Sequence, residues 1–254
     1  MNLTKTIMNI VAGSGLLLML TACNGVLDDI YDAPPTPAAG DLYVDASSWT
    51  QWHYIDLHAI QAAISRGEQP DLSFTSYDIP LTDVGTFDAD GTGIYTYWYD
   101  VFGEGLSRYE FRSRYATARQ PEPEHWDLAV HRQNVRTNGG AVFETSLTDL
   151  SQVANASFYA SLPFEADEWN ETDVWTIQDK MLLGLIGNQR IKINNVLGNW
   201  LRMSIPPIPP VFTMNSHVFI VRFSDGTYAA LRLKNYVSPT NVKCCLTIEY
   251  KYPL

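Results

Sequence analysis

The sequence predicts an all-β fold built of antiparallel sheets, with at most one or two short helices. Three observations carry this. Val218–Phe223 and Tyr228–Leu233 are β-prone runs separated by Ser224-Asp225-Gly226, and an Asp-Gly between such runs is a strong hairpin signal. Leu246–Tyr252 alternates, with Leu246, Ile248, Tyr250 and Tyr252 on one side, as a half-buried antiparallel strand does. Helical periodicity is sparse, and its best instance is His58–Arg66, with Gly67 as its stop.

At the start of the chain, Lys5 precedes the apolar runs Ile7–Ile10 and Leu16–Leu20, which close on Leu20-Thr21-Ala22-Cys23. A charged n-region, an apolar h-region and small residues before a cysteine form a lipoprotein signal. Residues 1–22 are therefore expected to be removed, and Cys23 to carry the lipid. A spanning helix needs about 20 apolar residues, and Gly13-Ser14-Gly15 interrupts this one. Residues 23–40, with their Pro/Ala stretch, read as an extended tether. Residues 41–254 are long enough for one substantial core.

Trp49–Leu57 is expected to send Trp52, Tyr54 and Ile55 inward, and Ile94–Tyr99 is a second aromatic, β-prone run. Asn138-Gly139-Gly140 requires a turn with positive φ. Asp127, His131 and Arg132 are read as a hydrogen-bonded structural element. The prolines in Ile205–Val211 cannot donate to a ladder, so this stretch is expected to be an extended loop leading from Trp200–Met203 to the strand near Val218. Cys244 and Cys245 are neighbours whose side chains point to opposite faces of a strand. A bond between them is not expected, one being a small core residue and the other partly exposed.

Acidic residues number 28 against 17 basic, a formal charge of −11. Nucleic-acid binding, which needs a basic face, is disfavoured. No Gly-x-Ser-x-Gly elbow, phosphate loop or Cys/His pair is present, and the histidine spacings His53/His58 and His125/His131 match no metal motif. Carboxylates Glu165, Asp167, Glu168, Glu171 and Asp173 flank Trp169 in a loop-like stretch, but proximity in sequence does not make an acid–base pair. No catalytic centre is expected.

Four stretches resemble the HmuY family of haem-binding outer-membrane lipoproteins of Bacteroidetes: Trp126–Phe143, the string that begins Trp200-Leu201, Val218–Gly226, and Thr247–Pro253. The first is the most specific. The resemblance implies a cell-surface lipoprotein that captures haem and delivers it to a TonB-dependent outer-membrane receptor. In that family two histidines ligate the iron from opposite faces, and some relatives use methionines. The second histidine ends a Trp-Leu-x-x-Ser-His string, which here reads Trp200-Leu201-Arg202-Met203-Ser204-Ile205, and isoleucine cannot ligate iron. The first falls within Trp175–Gly187, where Met181 supplies the soft donor.

The ligand set the resemblance implies is thus Met181 with Met203, with Met214 as a third candidate. Thioether sulfur binds haem iron and favours its reduced state. Met203 alternates with Leu201 and Ile205, so a role as flexible core filler stays open beside ligation. The alternative function is a non-catalytic binding module for a glycan or partner protein, since Trp and Tyr also stack on sugars and line apolar pockets.

Overall fold

Among the described residues, seventeen strands and two short helices bear out the all-β expectation. The computed structural model describes residues 40–80, 95–100, 115–116, 119–170, 174–175, 185–204 and 209–254. Strands β1 (Asp41–Asp45) and β2 (Gln51–Ile55) lead into α1 (Leu57–Ser65), followed by β3 (Thr75–Asp78), β4 (Tyr95–Asp100) and β5 (Tyr115–Ala116). Next come β6 (Leu128–His131), β7 (Asn134–Thr137), β8 (Ala141–Glu144) and the one-turn α2 (Ala156–Tyr159). Short strands β9 (Glu165–Ala166), β10 (Glu168–Asn170) and β11 (Val174–Trp175) precede the long β12 (Leu185–Ile193). The chain closes with β13 (Leu201–Ser204), β14 (Val211–Met214), β15 (Phe219–Arg222), β16 (Tyr228–Val237) and β17 (Lys243–Lys251). Among the described residues no helix is long and apolar enough to cross a membrane.

A six-stranded sheet, β1-β17-β16-β15-β8-β9, is the centre of the fold. A second sheet, β3-β2-β6-β7, sends Ile55, Leu128, Val130 and Val135 against Leu42, Phe219, Val221, Leu231, Leu246 and Ile248 of the first. The other face of the second sheet holds Trp52, Tyr54 and Ala129 against Ile191 and Ile193 of β12, which belongs to a third sheet, β10-β12-β4-β5. On the far face of the central sheet, Val218, Ile220 and Ala230 are covered by Leu150, Val153 and Tyr159. Because the central sheet is buried on both faces, β15 reads as a continuous apolar run rather than an alternation. Full burial of a side chain such as Phe219 contributes about 1.5–3 kcal/mol.

Trp52, Tyr54 and Ile55 are buried as expected, the first two on one face of the second sheet and Ile55 on the other. Helix α1 matches its expected span to within a residue. Asp56 caps its start by accepting from the Ala59 N–H at 2.7 Å, and Gly67 ends it at φ +72°. The Asp-Gly hairpin forms, with Gly226 at φ +86° and the Phe223 N–H donating to the Thr227 carbonyl across the turn.

Three expectations need correction. The Pro-rich stretch does not run straight on to β15. Val211–Met214 pairs antiparallel with Leu201–Ser204 as a hairpin, and residues 205–208 lie outside the described residues. The stretch around Trp169 is not a loop, since β9 pairs with β8 and β10 with β12. Finally, Cys245 is as buried as Cys244, and both are free thiols. Strand β1 lies alongside β17 and sets Asp45 opposite Cys245, whose thiol donates to the carboxylate at 3.5 Å.

The Trp126–Gly140 string connects the layers. Arg136 is buried among Trp52, Trp126 and Tyr54, its guanidinium carbon 4.9, 5.0 and 5.6 Å from the three ring centres. It donates to Glu122 at 2.8 Å and to the Tyr54 hydroxyl at 2.7 Å. Arg132, at φ +53°, makes the β6–β7 turn, stacks over Trp49 at 3.5 Å and donates to the Ser47 carbonyl at 2.6 Å. His131 is wholly buried, its Nδ1 3.0 Å from the Gln51 carbonyl. Gly139 takes φ +71°, and a Cβ at Gly140 would lie 2.8 Å from the Arg222 carbonyl. Asp127, His131 and Arg132 are thus structural, each serving a different junction.

Asp127 accepts from the backbone N–H of Leu57 at 2.7 Å and of His58 at 3.1 Å, at the start of α1. The His58 ring lies between two carboxylates, Nδ1 2.8 Å from Asp127 Oδ1 and Nε2 3.0 Å from Asp225 Oδ2. A neutral imidazole has one N–H, so both contacts are hydrogen bonds only when the ring is protonated. Partial burial opposes that charge, but the bonds to Asp127 and Asp225 outweigh it, so the His58 pKa is raised above 6.5. Its contribution to stability is therefore fully present below about pH 6.5 and is lost as pH rises through the raised native value. Asp225 is held below the usual carboxylate range mainly by the Thr227 N–H, whereas burial raises Asp127, so protonation of Asp127 sets the acid edge of the window.

Two outcomes are expected. In urea denaturation, His58→Gln should lose more stability relative to the parent at pH 5.5 than at pH 9, and an equal deficit at both would contradict the imidazolium bridge. Burial raises the Cys244 thiol to about 11 and also raises Cys245. Neither thiol should therefore react with an aromatic disulfide reagent at pH 8 until denaturant is added, and rapid labelling of the native protein would contradict their burial.

Candidate functional site

The β13–β14 hairpin is anchored at its base by buried groups. Leu197 and Trp200, in the 3₁₀ turn Leu197–Trp200, are fully buried and start β13 directly from the core. Asn194 fixes that turn: its carbonyl oxygen accepts from Leu197 N–H at 2.9 Å, and its amide donates to the Glu165 carbonyl and to Asp167, each at 3.0 Å. Asp167 also accepts from the Thr137 N–H and hydroxyl. Burial raises the Asp167 pKa despite these bonds. It is committed to structure, so the carboxylates around Trp169 supply no acid–base pair from this member; Glu171 and Asp173 lie outside the described residues.

Register fixes the hairpin's two faces. Leu201 pairs with Met214 and Met203 with Phe212, so all four share one face, while Arg202, Ser204, Val211 and Thr213 share the other. Leu201 is fully buried and Met203 half-buried. Phe212 packs on the main core and stacks on Tyr236 at 5.8 Å and 27°, and the Lys243 ammonium lies 5.4 Å from the Tyr236 ring centre. Met214 is 38% exposed at the open end of this face. Met203 therefore lies on the inward, aromatic-lined face of the ribbon. Met181, Cys23 and Ile205 lie outside the described residues, so no geometry joins Met181 to Met203.

From Arg202, on the opposite face, a polar chain runs to groups outside the ribbon. Arg202 donates through Nε and Nη2 to the Asn199 side-chain oxygen, at 3.2 and 2.7 Å. The Asn199 amide reaches Glu144 at 3.4 Å. Glu144 also accepts from the Asn215 amide at 2.7 Å and from His217 Nδ1 at 2.8 Å. Burial raises the Glu144 pKa, but these three donors together outweigh it and hold the carboxyl below its usual range. The Asn215 side chain further accepts from the His217 backbone N–H at 2.9 Å. Sequence reasoning missed this cluster, because Glu144 and His217 are 73 residues apart and no local pattern joins them.

Elsewhere, Asp56, His58 and Asp127 offer ligand atoms within 4.8 Å of one another. These atoms are already used: Asp56 caps α1, Asp127 accepts from two N–H groups at its start, and His58 bridges carboxylates. The positive end of the helix dipole further disfavours a cation there. Clefts of about 420 and 390 Å³ flank α1, and neither is lined by a hairpin residue. Trp169 is 37% exposed, with the Lys192 ammonium 5.8 Å from its ring centre.

The fold is that of known proteins. A protein of Bacteroides vulgatus ATCC 8482 assigned as HmuY-like and haem-binding is 27% identical, with a TM-score of 0.56 over 88% of this chain and 99% of its own. A protein of Bacteroides fragilis NCTC 9343 assigned as a lipoprotein is also 27% identical, with a TM-score of 0.54 over 87% of this chain and 94% of its own. The apo HmuY analogue of Tannerella forsythia shares the fold at 18% identity, with a TM-score of 0.56 over 88% of this chain and 100% of its own. No curated protein matches the sequence. The family model for HmuY protein matches residues 48–250, which include the central sheet apart from β1, the Trp126–Gly140 string and the β13–β14 hairpin, and the chain belongs to the HmuY family.

Proposed function

We propose that this protein is a haem-binding lipoprotein of the outer membrane that captures haem at the cell surface and passes it to a TonB-dependent receptor. The observation that carries this reading is family membership over residues 48–250, together with a haem-binding assignment for a structural neighbour 27% identical. In this reading residues 1–22 are the signal peptide, Cys23 takes the lipid, residues 23–40 form the tether, and residues 41–254 do the binding. The protein acts by binding rather than by catalysis.

The donor set of the inward face suits a porphyrin in kind. Met203 offers a thioether, and Phe212 with Tyr236 offers aromatic surface beside it. Haem supplies an iron with open axial positions that soft or nitrogen donors fill. Met203 would hold the iron from the inward face of the hairpin, the face that Met214 shares. In this reading Met181 would supply a second donor from another segment.

The test is titration with ferric haem, read by absorbance with and without dithionite. A saturable Soret shift that sharpens on reduction, and weakens in Met203→Ala and Met181→Ala, is expected. Spectra matching those of free haem throughout would end the haem reading and put glycan or partner binding ahead.

A further inference from the structure

We propose that His58, Asp225 and Thr227 form a proton-operated clasp, which fastens the β15–β16 turn to the start of α1 in acid and releases it as the solution turns alkaline. The device belongs to the fold and is independent of what the protein binds. The His58 ring has Nδ1 2.8 Å from Asp127 Oδ1 and Nε2 3.0 Å from Asp225 Oδ2. Phe223 and Tyr252 meet the ring edge-to-face at 5.4 and 5.0 Å and hold its orientation. The Thr227 hydroxyl donates to Asp225 Oδ1 at 2.7 Å. The same hydroxyl lies 3.4 Å from His58 Nε2 and 3.3 Å from the Tyr252 hydroxyl. A Cβ added at Gly139 would lie 3.8 Å from that of Ser224, so the turn also abuts Asn138–Gly140.

One proton decides which of these bonds exist. The imidazolium donates from both nitrogens and closes both carboxylate contacts. When it gives a proton to solvent, the ring keeps one N–H, and the two carboxylates compete for it unequally. The Asp127 side chain is 10% exposed and that of Asp225 48%, so water replaces a donor lost at Asp225 but not one lost at Asp127. The N–H therefore stays at Nδ1, and the Nε2 lone pair faces a carboxylate oxygen at 3.0 Å, acceptor against acceptor. The Thr227 hydroxyl has one proton and both acceptors within reach, and turning it from Asp225 to Nε2 relieves the ring. Asp225 then keeps the Thr227 N–H at 2.9 Å and turns its other oxygen into water. The remaining ionisable groups around the ring do not make this switch. Asp56 caps α1 through the Ala59 N–H, burial raises the Tyr252 hydroxyl so that it stays protonated, and Glu124 and His125 line the neighbouring cleft. Asp225, held low mainly by the Thr227 N–H, stays ionised throughout. Partial burial lowers the pKa of the ring, but the bonds to Asp127 and Asp225 outweigh it, so the clasp is closed in mild acid and opens as pH rises through the raised value.

The experiment is a pH titration of the isotope-labelled full-length chain by nuclear magnetic resonance, from pH 5.5 to 9. It reads the protonation of each imidazole nitrogen and the protection of the Ser224–Thr227 amides against hydrogen exchange, corrected for the intrinsic rate. His58 is expected to pass from a doubly protonated ring to a neutral ring with its proton on Nδ1. The turn amides should lose protection with the same midpoint, while those of β15 and β16 keep theirs. Thr227→Val removes the hydroxyl that takes over at Nε2, so it should raise the His58 midpoint, and Thr227→Ser should restore it. Asp225→Asn should lower the midpoint and leave the turn less protected at pH 5.5. A neutral ring protonated on Nε2 would overturn the proposal. So would an unchanged midpoint in Thr227→Val, or turn amides whose protection stays constant while His58 titrates.

Discussion

The Asp127 carboxylate is the junction on which the arrangement of layers depends. One oxygen caps α1 by accepting from Leu57 and His58, and the other holds the His58 ring, whose far nitrogen reaches Asp225 in the β15–β16 turn. The backbone of Asp127 bonds to Ile55 and Asn138, the ends of β2 and β7. One residue thus fixes the helix, the second sheet and a turn of the central sheet. Loss of one partner of such a buried, charged network leaves the others unsatisfied, which costs more than any single bond contributes.

Burial of the central sheet on both faces has a consequence for function. Around β15 both faces are taken up by packing, which leaves segments at the sheet's margins as places for a ligand contact. The β13–β14 hairpin is such a segment. It is pinned at the base by Trp200 and Asn194, and its strands pair only with each other among the described residues. Residue alternation gives the ribbon two chemically distinct faces, an inward one with Leu201, Met203 and Phe212 and an outward one with Arg202 and Thr213.

Much of the fold was legible because it is local. Asp56 and Gly67 bracket α1 in the sequence itself, and Asp225-Gly226 marks the turn between two apolar runs. What was not legible depends on distant partners. Cys245 is buried because β1, some 200 residues earlier, pairs over it. The strand Val211–Met214 was hidden by its prolines, since its β character comes from pairing with Leu201–Ser204 rather than from its own composition. That Met203 shares a face with Leu201 followed from alternation. The Glu144–His217 pair, joined across 73 residues, had no local signal.

The charge of the chain makes the hairpin's cations matter. At −11 overall, the protein repels an anionic ligand such as a porphyrin with two propionates. That repulsion is spread over the surface and is screened beyond about 8 Å at physiological ionic strength. A cation within contact distance is screened far less, so the local sign decides where such a ligand settles. The hairpin itself carries Arg202, held by Asn199 on the outward face, and Lys243 of β17 lies against the Tyr236 ring that Phe212 stacks on. The inward face thus sets the Met203 thioether on the same side as Phe212, which stacks on the Tyr236 ring beside the Lys243 ammonium. In the haem reading proposed above, that grouping does not depend on the position occupied by Ile205.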